Sequence, residues 1–320
     1  MTIAFPVLRN PVEGGHRYQP IVENRASSVP PGPLRVVAFN AQGGARFDGI
    51  LQCLTREPLK SASIILLSES DLGTRRVGGR VVASELAKAL GMSCAMVPEM
   101  GLIDTDGVIR SYLGNAILAR EPLEQVRAIA MPKLTMGYRR LHRSLGGLRR
   151  DGGPAALVAT IKGRGKPLEV CVAHLDSRAD PMGRDSQIAA ALEGIAPNGR
   201  TIFGGDFNTT TVELRNRESF QKVFREMIVN PKRFRNPRPY EPLFGRLSEA
   251  GFEVRGANAE GRPSFTFTRM IPPWMRPRLD WIALRELQPI PGSAAVIPAR
   301  PGFFSERVSD HDFIAVDVAL

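Results

Sequence analysis

Residues 201–208 read Thr-Ile-Phe-Gly-Gly-Asp-Phe-Asn and carry the clearest structural signal in the chain. The apolar first part predicts a buried strand, and the polar residues Asp206 and Asn208 follow where that strand ends. Glycine, aspartate and asparagine also favour turns, so the segment taken alone fits a simple turn as well as a functional site. The choice between these two interpretations depends on the rest of the chain.

Similar polar residues end or flank other predicted strands. They are Asn40, Glu69, His174, Asp280, Asp310 and His311. Taken singly, most have ordinary explanations: a satisfied amide, a solvated strand exit, a core or surface histidine, or a turn cap. Asp280 is harder to explain because Leu279, Trp281 and Ile282 surround it, and a buried carboxylate needs a metal or a hydrogen-bond donor. Together these residues predict strand ends that converge on one cleft.

Strands and helices alternate along most of the sequence, which predicts a single α/β domain over residues 34–320. Residues 1–33, rich in proline, are expected to form an extended N-terminal arm. The predicted strands are 34–39, 63–67, 115–119, 155–161, 168–173, 201–205, 264–268, 279–284 and 313–319. The predicted helices are 81–90, 184–195, 218–227 and 242–250. The basic, proline-punctuated segment 230–239 between the last two helices reads as an insertion.

Composition limits the classes of protein that the chain can represent. The net charge is +11, from 43 Lys+Arg against 32 Asp+Glu, which fits either a polyanionic partner or an arginine-rich, solubilising surface. The three cysteines, Cys53, Cys94 and Cys171, lie in apolar surroundings and are expected to be reduced core residues. The sequence has no apolar run of about 18 residues and no signal-peptide pattern at its start, so we expect a cytoplasmic protein without a transmembrane helix.

In their order along the chain, these motifs resemble the endonuclease/exonuclease/phosphatase superfamily. They are Asn40, Glu69, Gly114-Asn115-Ala116-Ile117-Leu118, His174-Leu175-Asp176, Gly205-Asp206-Phe207-Asn208, Leu279-Asp280-Trp281-Ile282 and Ser309-Asp310-His311. The group includes pancreatic deoxyribonuclease, exonuclease-III-type abasic-site endonucleases, neutral sphingomyelinases and inositol-polyphosphate 5-phosphatases. The resemblance runs from about residue 34 to 320. It implies a four-layer α/β sandwich, in which two packed, mainly antiparallel mixed β-sheets are flanked by helices and the site lies at one edge.

The resemblance also implies a metal site. Glu69 is expected to be the principal ligand of Mg²⁺, with Asn40 beside it and Asp310 contributing. All three side chains offer oxygen atoms, which suits a hard ion such as Mg²⁺ or Mn²⁺ and argues against zinc.

The remaining motif residues acquire catalytic roles from the same resemblance. Asp206 is expected to orient or deprotonate the attacking water, and Asn208 to hold a phosphoryl oxygen. His311 would lie near the scissile phosphate, with Asp280 fixing its tautomer and raising its pKa. His174 matches a second phosphate-contacting histidine of the deoxyribonuclease and sphingomyelinase branches that abasic-site endonucleases generally lack. Its carboxylate partner is not identified by the sequence, although Asp176 lies on the same strand face.

Arginines interleaved with aromatic residues carry the information on the substrate. The predicted substrate-binding residues are Arg269, Trp274, Arg276 and Arg278, and an arginine-rich tract at 138–150 and the pair Phe303–Phe304 lie in other loops. Arginine with aromatics suits phosphate clamping and base stacking on nucleic acid. The same residues suit a loop that dips into an anionic lipid surface, and the aromatic residues could also simply be buried.

We therefore predict a Mg²⁺-dependent phosphoesterase, and within that class a nuclease that hydrolyses phosphodiester bonds of nucleic acid by metal-assisted attack of water. The alternative is a sphingomyelinase-like lipid or small-molecule phosphodiesterase or phosphatase. A binding-only member of the group is disfavoured, because every acid, amide and histidine of a working site is present. The motifs do not separate DNA from RNA, or endonuclease from exonuclease.

Overall fold

The computed structural model describes residues 19–26, 32–103, 109–134, 149–162, 166–212, 217–266 and 272–320. Its strands are β1 (Ile21–Glu23), β2 (Leu34–Gly43), β3 (Ile64–Ser70), β4 (Ser93–Ile103), β5 (Ile109–Ala119), β6 (Glu124–Ala130), β7 (Arg149–Gly152), β8 (Ala155–Ile161), β9 (Leu168–His174), β10 (Arg200–Asp206), β11 (Asp280–Arg285), β12 (Gln288–Pro289), β13 (Ala295–Ile297) and β14 (Phe313–Ala319). Its α-helices are α1 (Phe47–Leu54), α2 (Val82–Leu90), α3 (Pro181–Glu193), α4 (Arg217–Val229), α5 (Pro231–Arg235) and α6 (Leu243–Glu249).

The strands of the described residues form two mixed sheets. Sheet A has nine strands in the order β1-β4-β5-β3-β2-β14-β12, with β7 paired to β4 and β13 paired to β14. Sheet B has five strands in the order β11-β10-β9-β8-β6. The pairs β2–β3 and β9–β10 are parallel and the other pairs are antiparallel.

Three apolar clusters arrange these elements in four layers. Alternating side chains of both sheets, among them Leu66 and Val172, fill the space between sheets A and B. The other face of sheet A packs against α1 and α2, and the other face of sheet B packs against α3 and α6. The predicted four-layer sandwich of two mainly antiparallel mixed sheets flanked by helices is confirmed.

Most predicted elements are present with slightly different bounds. The helix predicted at 81–90 is α2, which ends at Gly91 because this residue adopts a left-handed conformation with φ of 66°. Helix α3 begins three residues earlier than predicted, where Asp180 accepts a hydrogen bond of 2.7 Å from the Gly183 amide. The buried, free thiols of all three cysteines also agree with the prediction.

The strand predicted at 264–268 is wrong in its described part. Phe265 makes an isolated β-bridge to His311. Its neighbours Ser264 and Thr266 do not extend this bridge into a strand but make hydrogen bonds to other segments. Ser264 Oγ accepts from the amides of Leu279 and Asp280, each at 3.0 Å, and the Thr266 amide donates to the Asp310 carbonyl at 2.7 Å. This segment therefore ties the start of β11 to the loop before β14.

The predicted N-terminal arm is described at residues 19–26 and from 32 onward. Within it, β1 pairs antiparallel with β4, from Ile21 opposite Met96 to Glu23 opposite Cys94. This part of the arm therefore adds a strand to the edge of sheet A. Among the helices of the described residues, none is long and apolar enough to cross a membrane.

The segment 230–239, predicted to be an insertion, contains the short helix α5 and lies between α4 and α6, which correspond to the helices predicted at 218–227 and 242–250. Phe234 of α5 is buried with Val223, Met227 and Met275 in a small separate cluster. This cluster includes Met275 of the 3₁₀ turn Pro273–Met275, so the insertion supports the segment that carries Trp274.

Candidate active site

Three of the predicted site residues lie side by side at one end of sheet B. His174 ends β9, Asp206 ends β10, and the sheet register pairs Asp206 with both His174 and Asp280. Residues in register on adjacent strands project to the same side of a sheet, so the topology alone brings these three together. His174 Nε2 lies 3.6 Å from Asp206 Oδ2.

Sheet A contributes Asn40 and Glu69 from the neighbouring parallel strands β2 and β3. Asn40 Nδ2 donates to Glu69 Oε1 at 3.2 Å and to Asp206 Oδ2 at 3.0 Å, which links the two sheets. Its Oδ1 accepts from the Gln42 amide at 2.9 Å. In this arrangement Asn40 orients two carboxylates, and the predicted role as a metal ligand would require its amide to rotate.

Backbone strain is concentrated at these strand ends. Glu69 and Asn208 have φ values of 50° and 47°, a left-handed conformation that is uncommon for residues other than glycine. Asn208 is held there by its amide, which donates to Asp206 Oδ1 at 2.9 Å, and by Nδ2, which donates to the Leu175 carbonyl at 2.9 Å. Such strain, held by surrounding contacts, is typical of functional sites.

The loop before β14 delivers Asp310 and His311. Ser309 Oγ donates to the Asn40 carbonyl at 2.7 Å and accepts from the His311 amide at 3.1 Å, so this loop is fixed to β2. His311 Nδ1 lies 2.8 Å from Asp280 Oδ2, and its Nε2 lies 3.6 Å from Asp206 Oδ2. The imidazole thus stands between two carboxylates, with Asp280 holding Nδ1 and Asp206 facing Nε2.

Electrostatics keep His311 protonated. Burial acts to lower the pKa of its imidazole, but the charges of Asp280 and Asp206 and the Asp280 hydrogen bond outweigh burial and raise the pKa to about 10. Asp206, Asp280 and His311 place potential ligand atoms within 4.8 Å of one another. A metal requires neutral histidine, however, and the His311–Asp280 hydrogen bond already occupies Nδ1, so this cluster fits proton chemistry better than metal binding.

Glu99, whose charge acts on His174, was not predicted from the sequence as a site residue. Glu99 is 5% exposed and accepts a hydrogen bond of 2.8 Å from the Ala155 amide. Burial raises the pKa of this carboxyl to about 7, although His174 acts in the opposite direction. For His174, burial acts to lower the pKa, but the charges of Asp206, Glu69 and Glu99 outweigh it and the pKa is raised. Asp176, considered earlier as the partner of His174, accepts from the Arg178 amide at 2.9 Å.

Glu99 reaches the site because of a β-bulge. The pairing of β4 with β5 shifts register between Pro98 and Met100, so Glu99 stands outside the regular alternation of the strand. A bulge re-aims one side chain, here into the interior beside Ala155. A glutamate after a proline gives little strand signal, and so neither β4 nor the role of Glu99 was predicted.

The loop that follows Asn208 is fixed by a buried ion pair. Arg184 Nη2 and Glu241 Oε1 lie 2.5 Å apart, and both side chains are fully buried. Glu241 Oε1 also accepts from the Thr211 amide at 2.7 Å. Helix α3 and the insertion therefore hold residues 208–211 in place behind the active site.

The remaining acids fit a divalent cation. Asp310 is half-buried, and burial together with the charges of Glu69 and Asp206 raises its pKa, although His311 opposes them. Carboxylates that repel one another in this way gain from a cation between them. Glu69 and Asp310 would hold such an ion through oxygen atoms, as expected for a hard metal.

The predicted substrate-binding residues have separate outcomes. Trp274 is 51% exposed. Arg276 is two residues further along the chain, and its Nη1 lies 3.5 Å from Thr266 Oγ1. Burial and the charges of Arg307 and Arg300 lower the pKa of its guanidinium, although Asp312 opposes them. Arg269 lies outside the described residues, as does most of the 138–150 tract.

Arg278 does not fit the predicted role of a phosphate clamp on the surface of the cleft. It is 2% exposed. Its guanidinium donates to the Ala259 carbonyl, to the Arg262 carbonyl and Asn258 Oδ1 at 3.3 Å, and stacks 4.6 Å over Trp281. Oxygen atoms of the chain itself hold this side chain, which is a role that the spacing of arginines in a sequence does not reveal.

Comparison with known proteins agrees with this geometry. The sequence profile of the Endonuclease/Exonuclease/phosphatase family matches residues 37–311, which include every residue predicted above to be catalytic or to bind a metal. The chain belongs to this family. Members are divalent-metal-dependent phosphoric ester hydrolases, so the protein is an enzyme of that class. No curated protein matches its sequence.

Several solved structures share the family fold with this chain. An endonuclease/exonuclease/phosphatase protein from Beutenbergia cavernae is 16% identical, with a TM-score of 0.56 over 90% of this chain and 72% of that one. TDP2 from D. rerio, complexed with a single-strand DNA product, is 18% identical, with a TM-score of 0.54 over 91% and 100% of the two chains. The 3′ phosphatase NExo from Neisseria, bound to a product DNA hairpin, is 14% identical, with a TM-score of 0.56 over 90% and 100%. At these identities the similarity shows the fold alone.

Proposed function

We propose that this enzyme is a phosphodiesterase that uses Mg²⁺ or Mn²⁺ to hydrolyse phosphodiester bonds of nucleic acid. The observation that carries the proposal is the position of His311, which is 2.8 Å from Asp280 through Nδ1 and 3.6 Å from Asp206 through Nε2. A protonated imidazole beside the Asp206 carboxylate provides a cation for the phosphoryl oxygens and a base for the attacking water.

The roles of the chain's own residues follow from this geometry. Asp206 orients the attacking water and accepts its proton, while Asn40 and the Asn208 amide hold the carboxylate in position. His311 stays protonated and donates from Nε2 toward the charge that develops on the phosphoryl group, with Asp280 preventing rotation of the ring. A divalent cation held by Glu69 and Asp310 would neutralise phosphoryl charge and stabilise the leaving oxygen.

Charge and exposed aromatic surface favour nucleic acid as the substrate. The chain carries a net charge of +11, and the charges of Arg300 and Arg307 act on Arg276. Arg307 donates to the Ser309 carbonyl at 3.1 Å, in the loop that carries His311. Trp274, which is half-exposed, offers a face on which a base can stack. TDP2 from D. rerio and NExo from Neisseria, which share the fold, are described as bound to DNA products, and this fits the proposal.

One observation favours a lipid phosphodiesterase as the second candidate. Phe303 and Phe304 are 83% and 97% exposed, and their rings pack edge to face at 5.0 Å. Two adjacent exposed phenylalanines next to arginines suit the interface of an anionic membrane.

A salt titration of binding separates the two candidates, with Glu69→Gln protein used so that substrate is not consumed. For nucleic acid, affinity should fall steeply with salt, with a log–log slope of about −0.9 for each neutralised phosphate on a duplex. Arg276→Gln should reduce this slope by about one contact, whereas Arg225→Gln, on the exposed surface of α4, should leave it unchanged. Trp274→Ala should weaken binding without changing the slope, because stacking releases no counterions.

The opposite pattern would support the lipid candidate. A salt response that is flat for DNA and RNA, combined with binding to anionic vesicles that Phe303→Ala and Phe304→Ala abolish, would contradict the nucleic-acid proposal.

A further inference from the structure

A second cavity, of about 360 Å³, lies beside the start of β11 and is not used by the chemistry described above. Its walls come from the loop after α5, the loop 254–261 and two residues of the β11 segment. The lining side chains that carry charge are Arg235, Arg238, Arg255, Arg278 and Glu260. A volume of this size is within the range of small-ligand pockets, about 300–1,000 Å³.

The arginines of this cavity are anchored mainly by neutral groups. Arg235 donates to the Gly261 carbonyl at 2.8 Å through Nε, and Arg238 Nε donates to Asn236 Oδ1 at 3.3 Å. Within the described residues, the carboxylate that lines the cavity is that of Glu260, 3.8 Å from Arg238 Nη2 and with a side chain that is 79% exposed. Four arginines and one largely exposed acid thus line the cavity, and Glu260 is paired with Arg238, so most of the positive charge is not compensated by the lining residues.

Arg278 provides an independent sign of a missing partner. It is 2% exposed, and its Nε is buried without a hydrogen-bond acceptor. Burial of a cation and of an unpaired N–H group both cost free energy unless an anion compensates them. The charge of Asp280 compensates the buried cation in part, although its Oδ2 is hydrogen-bonded to His311 and no hydrogen bond joins Asp280 to Arg278 Nε.

The cavity shares a wall with the active site. Thr209, the residue after Asn208, donates from Oγ1 to the Arg278 carbonyl at 2.7 Å and accepts from Trp281 Nε1 at 3.0 Å. Asp280 takes part in the catalytic cluster, whereas its neighbours Arg278 and Trp281 line the cavity. A ligand in the cavity would therefore contact Arg278 and Trp281, the two residues that are hydrogen-bonded to Thr209 beside Asn208.

We infer that this cavity is a second anion site, which takes the phosphate group of a phosphate ester. Guanidinium forks match the geometry of phosphate oxygens, and several of them together favour a group with more oxygens and more charge than a carboxylate. Such a phosphate has two sources: a neighbouring phosphate of a bound nucleic-acid chain, or a separate phosphorylated small molecule.

The test uses Trp281 as a reporter. The chain has two tryptophans, so Trp274→Phe leaves Trp281 in the cavity wall as the single fluorophore. Metal-free Trp274→Phe protein is titrated with inorganic phosphate and with pyrophosphate. We expect a saturable change in emission, and Arg238→Gln or Arg255→Gln in the same background should raise the Kd by about tenfold, as loss of a charge-assisted contact does.

Both variants replace partly or fully exposed side chains, so they should fold, and circular dichroism checks this. Arg225→Gln, which removes the same charge from the exposed surface of α4, should leave the Kd unchanged. No saturable change, or Kd values that are equal for the parent, Arg238→Gln and Arg225→Gln proteins, would overturn the inference.

A kinetic comparison identifies the source of the phosphate, and this part rests on the proposed function. If the substrate chain fills the cavity, Arg238→Gln should raise KM for an oligonucleotide but not for bis-p-nitrophenyl phosphate. If a separate small molecule fills it, both KM values should stay the same while pyrophosphate binding is still weakened. Absence of any nuclease activity would contradict the proposed function but leave the titration result intact.

Discussion

Two histidines approach the same carboxylate oxygen, and their surroundings differ. The Nε2 atoms of His174 and His311 are each 3.6 Å from Asp206 Oδ2. The side chain of His311 is 5% exposed and Asp280 holds its Nδ1 at 2.8 Å, whereas the side chain of His174 is 21% exposed. The acid that acts on His174 from the sheet interior is Glu99, which is anchored to the Ala155 amide.

Because of this difference, His311 stays protonated at neutral pH, whereas the protonation of His174 depends on pH. Asp280 locks the tautomer and the charge of His311, because its pKa of about 10 keeps the imidazole protonated at neutral pH. Glu99 has a pKa raised to about 7, so its own charge changes in the neutral range and the field on His174 changes with it. We therefore expect His311 to be indispensable and His174 to tune the rate with pH.

The largest effects on kcat should come from substitutions of Asp206 and His311. Asp206→Asn removes the proton acceptor, and His311→Ala removes the cation, so each should lower kcat by roughly 10²-fold or more. Steady-state hydrolysis of bis-p-nitrophenyl phosphate measures the effect. Asp48→Asn, an exposed substitution of the same type on α1, should retain full activity. Turnover of the Asp206 variant close to wild type would contradict its role as the base.

An intermediate effect is expected from Asp280→Asn, which leaves His311 in place without its charged partner. Asp280 raises the pKa of His311 above the usual value of 6.5, so loss of the carboxylate should lower this pKa. The protonated form exists below the pKa, and the alkaline limb of kcat/KM should therefore move to lower pH in the variant. A metal ion at Glu69 would lower the pKa of His311 in wild type and in the variant alike, so both pH profiles would shift to lower pH together.

The same substitution predicts a stability difference with a definite sign. Since the folded pKa of His311 is raised, the stabilisation by Asp280 is fully present below about pH 6.5 and is lost as pH rises toward 10. The Tm difference between wild type and Asp280→Asn should thus shrink in alkaline buffer. A difference that stays constant from about pH 6 to 10 would contradict protonation of His311 in the folded protein.

The smallest effect should come from Glu99→Gln. Below a pH of about 7 the wild-type carboxyl is protonated, so glutamine mimics it and the activities should agree. Above this pH the ionised Glu99 raises the pKa of His174, and the variant should be several-fold slower because that support is missing. Rates measured at about pH 6 and pH 8 test this. Asp176→Asn should have the same rate relative to wild type at both pH values. If the rate of Asp176→Asn falls at the higher pH and that of Glu99→Gln does not, then Asp176 is the partner of His174.

The sequence predicts the residues at strand ends well for a physical reason. Asn40, Glu69, His174 and Asp206 each follow an apolar run, and an abrupt change from apolar to polar at the end of a strand is visible without any structure. The parallel pairing of β2 with β3 and of β9 with β10 then brings these residues to one edge. The composition of the cluster follows from this pattern, whereas the four-layer fold class was implied by the resemblance of the ordered motifs to the family.

Glu99 and Arg278 show where such prediction ends. Glu99 lies on a β-bulge, and no local pattern indicates which residue of a strand will leave the regular alternation. Arg278 looks like a surface cation in the sequence, but carbonyl groups from a loop some 16–19 residues earlier in the chain enclose it. Burial of a charged side chain depends on contacts distant in sequence, which spacing does not encode.

Dependence of hydrolysis on a divalent metal, measured in wild type and in Glu69→Gln, tests the central claim most directly. Activity toward bis-p-nitrophenyl phosphate should vanish in excess chelator and return with Mg²⁺ or Mn²⁺. Glu69→Gln should need much more metal for half-maximal activity while its Tm changes little, and Glu193→Gln, on the exposed face of α3, should behave as wild type. Full activity of the wild-type enzyme in excess chelator would contradict a metal-dependent mechanism at this site.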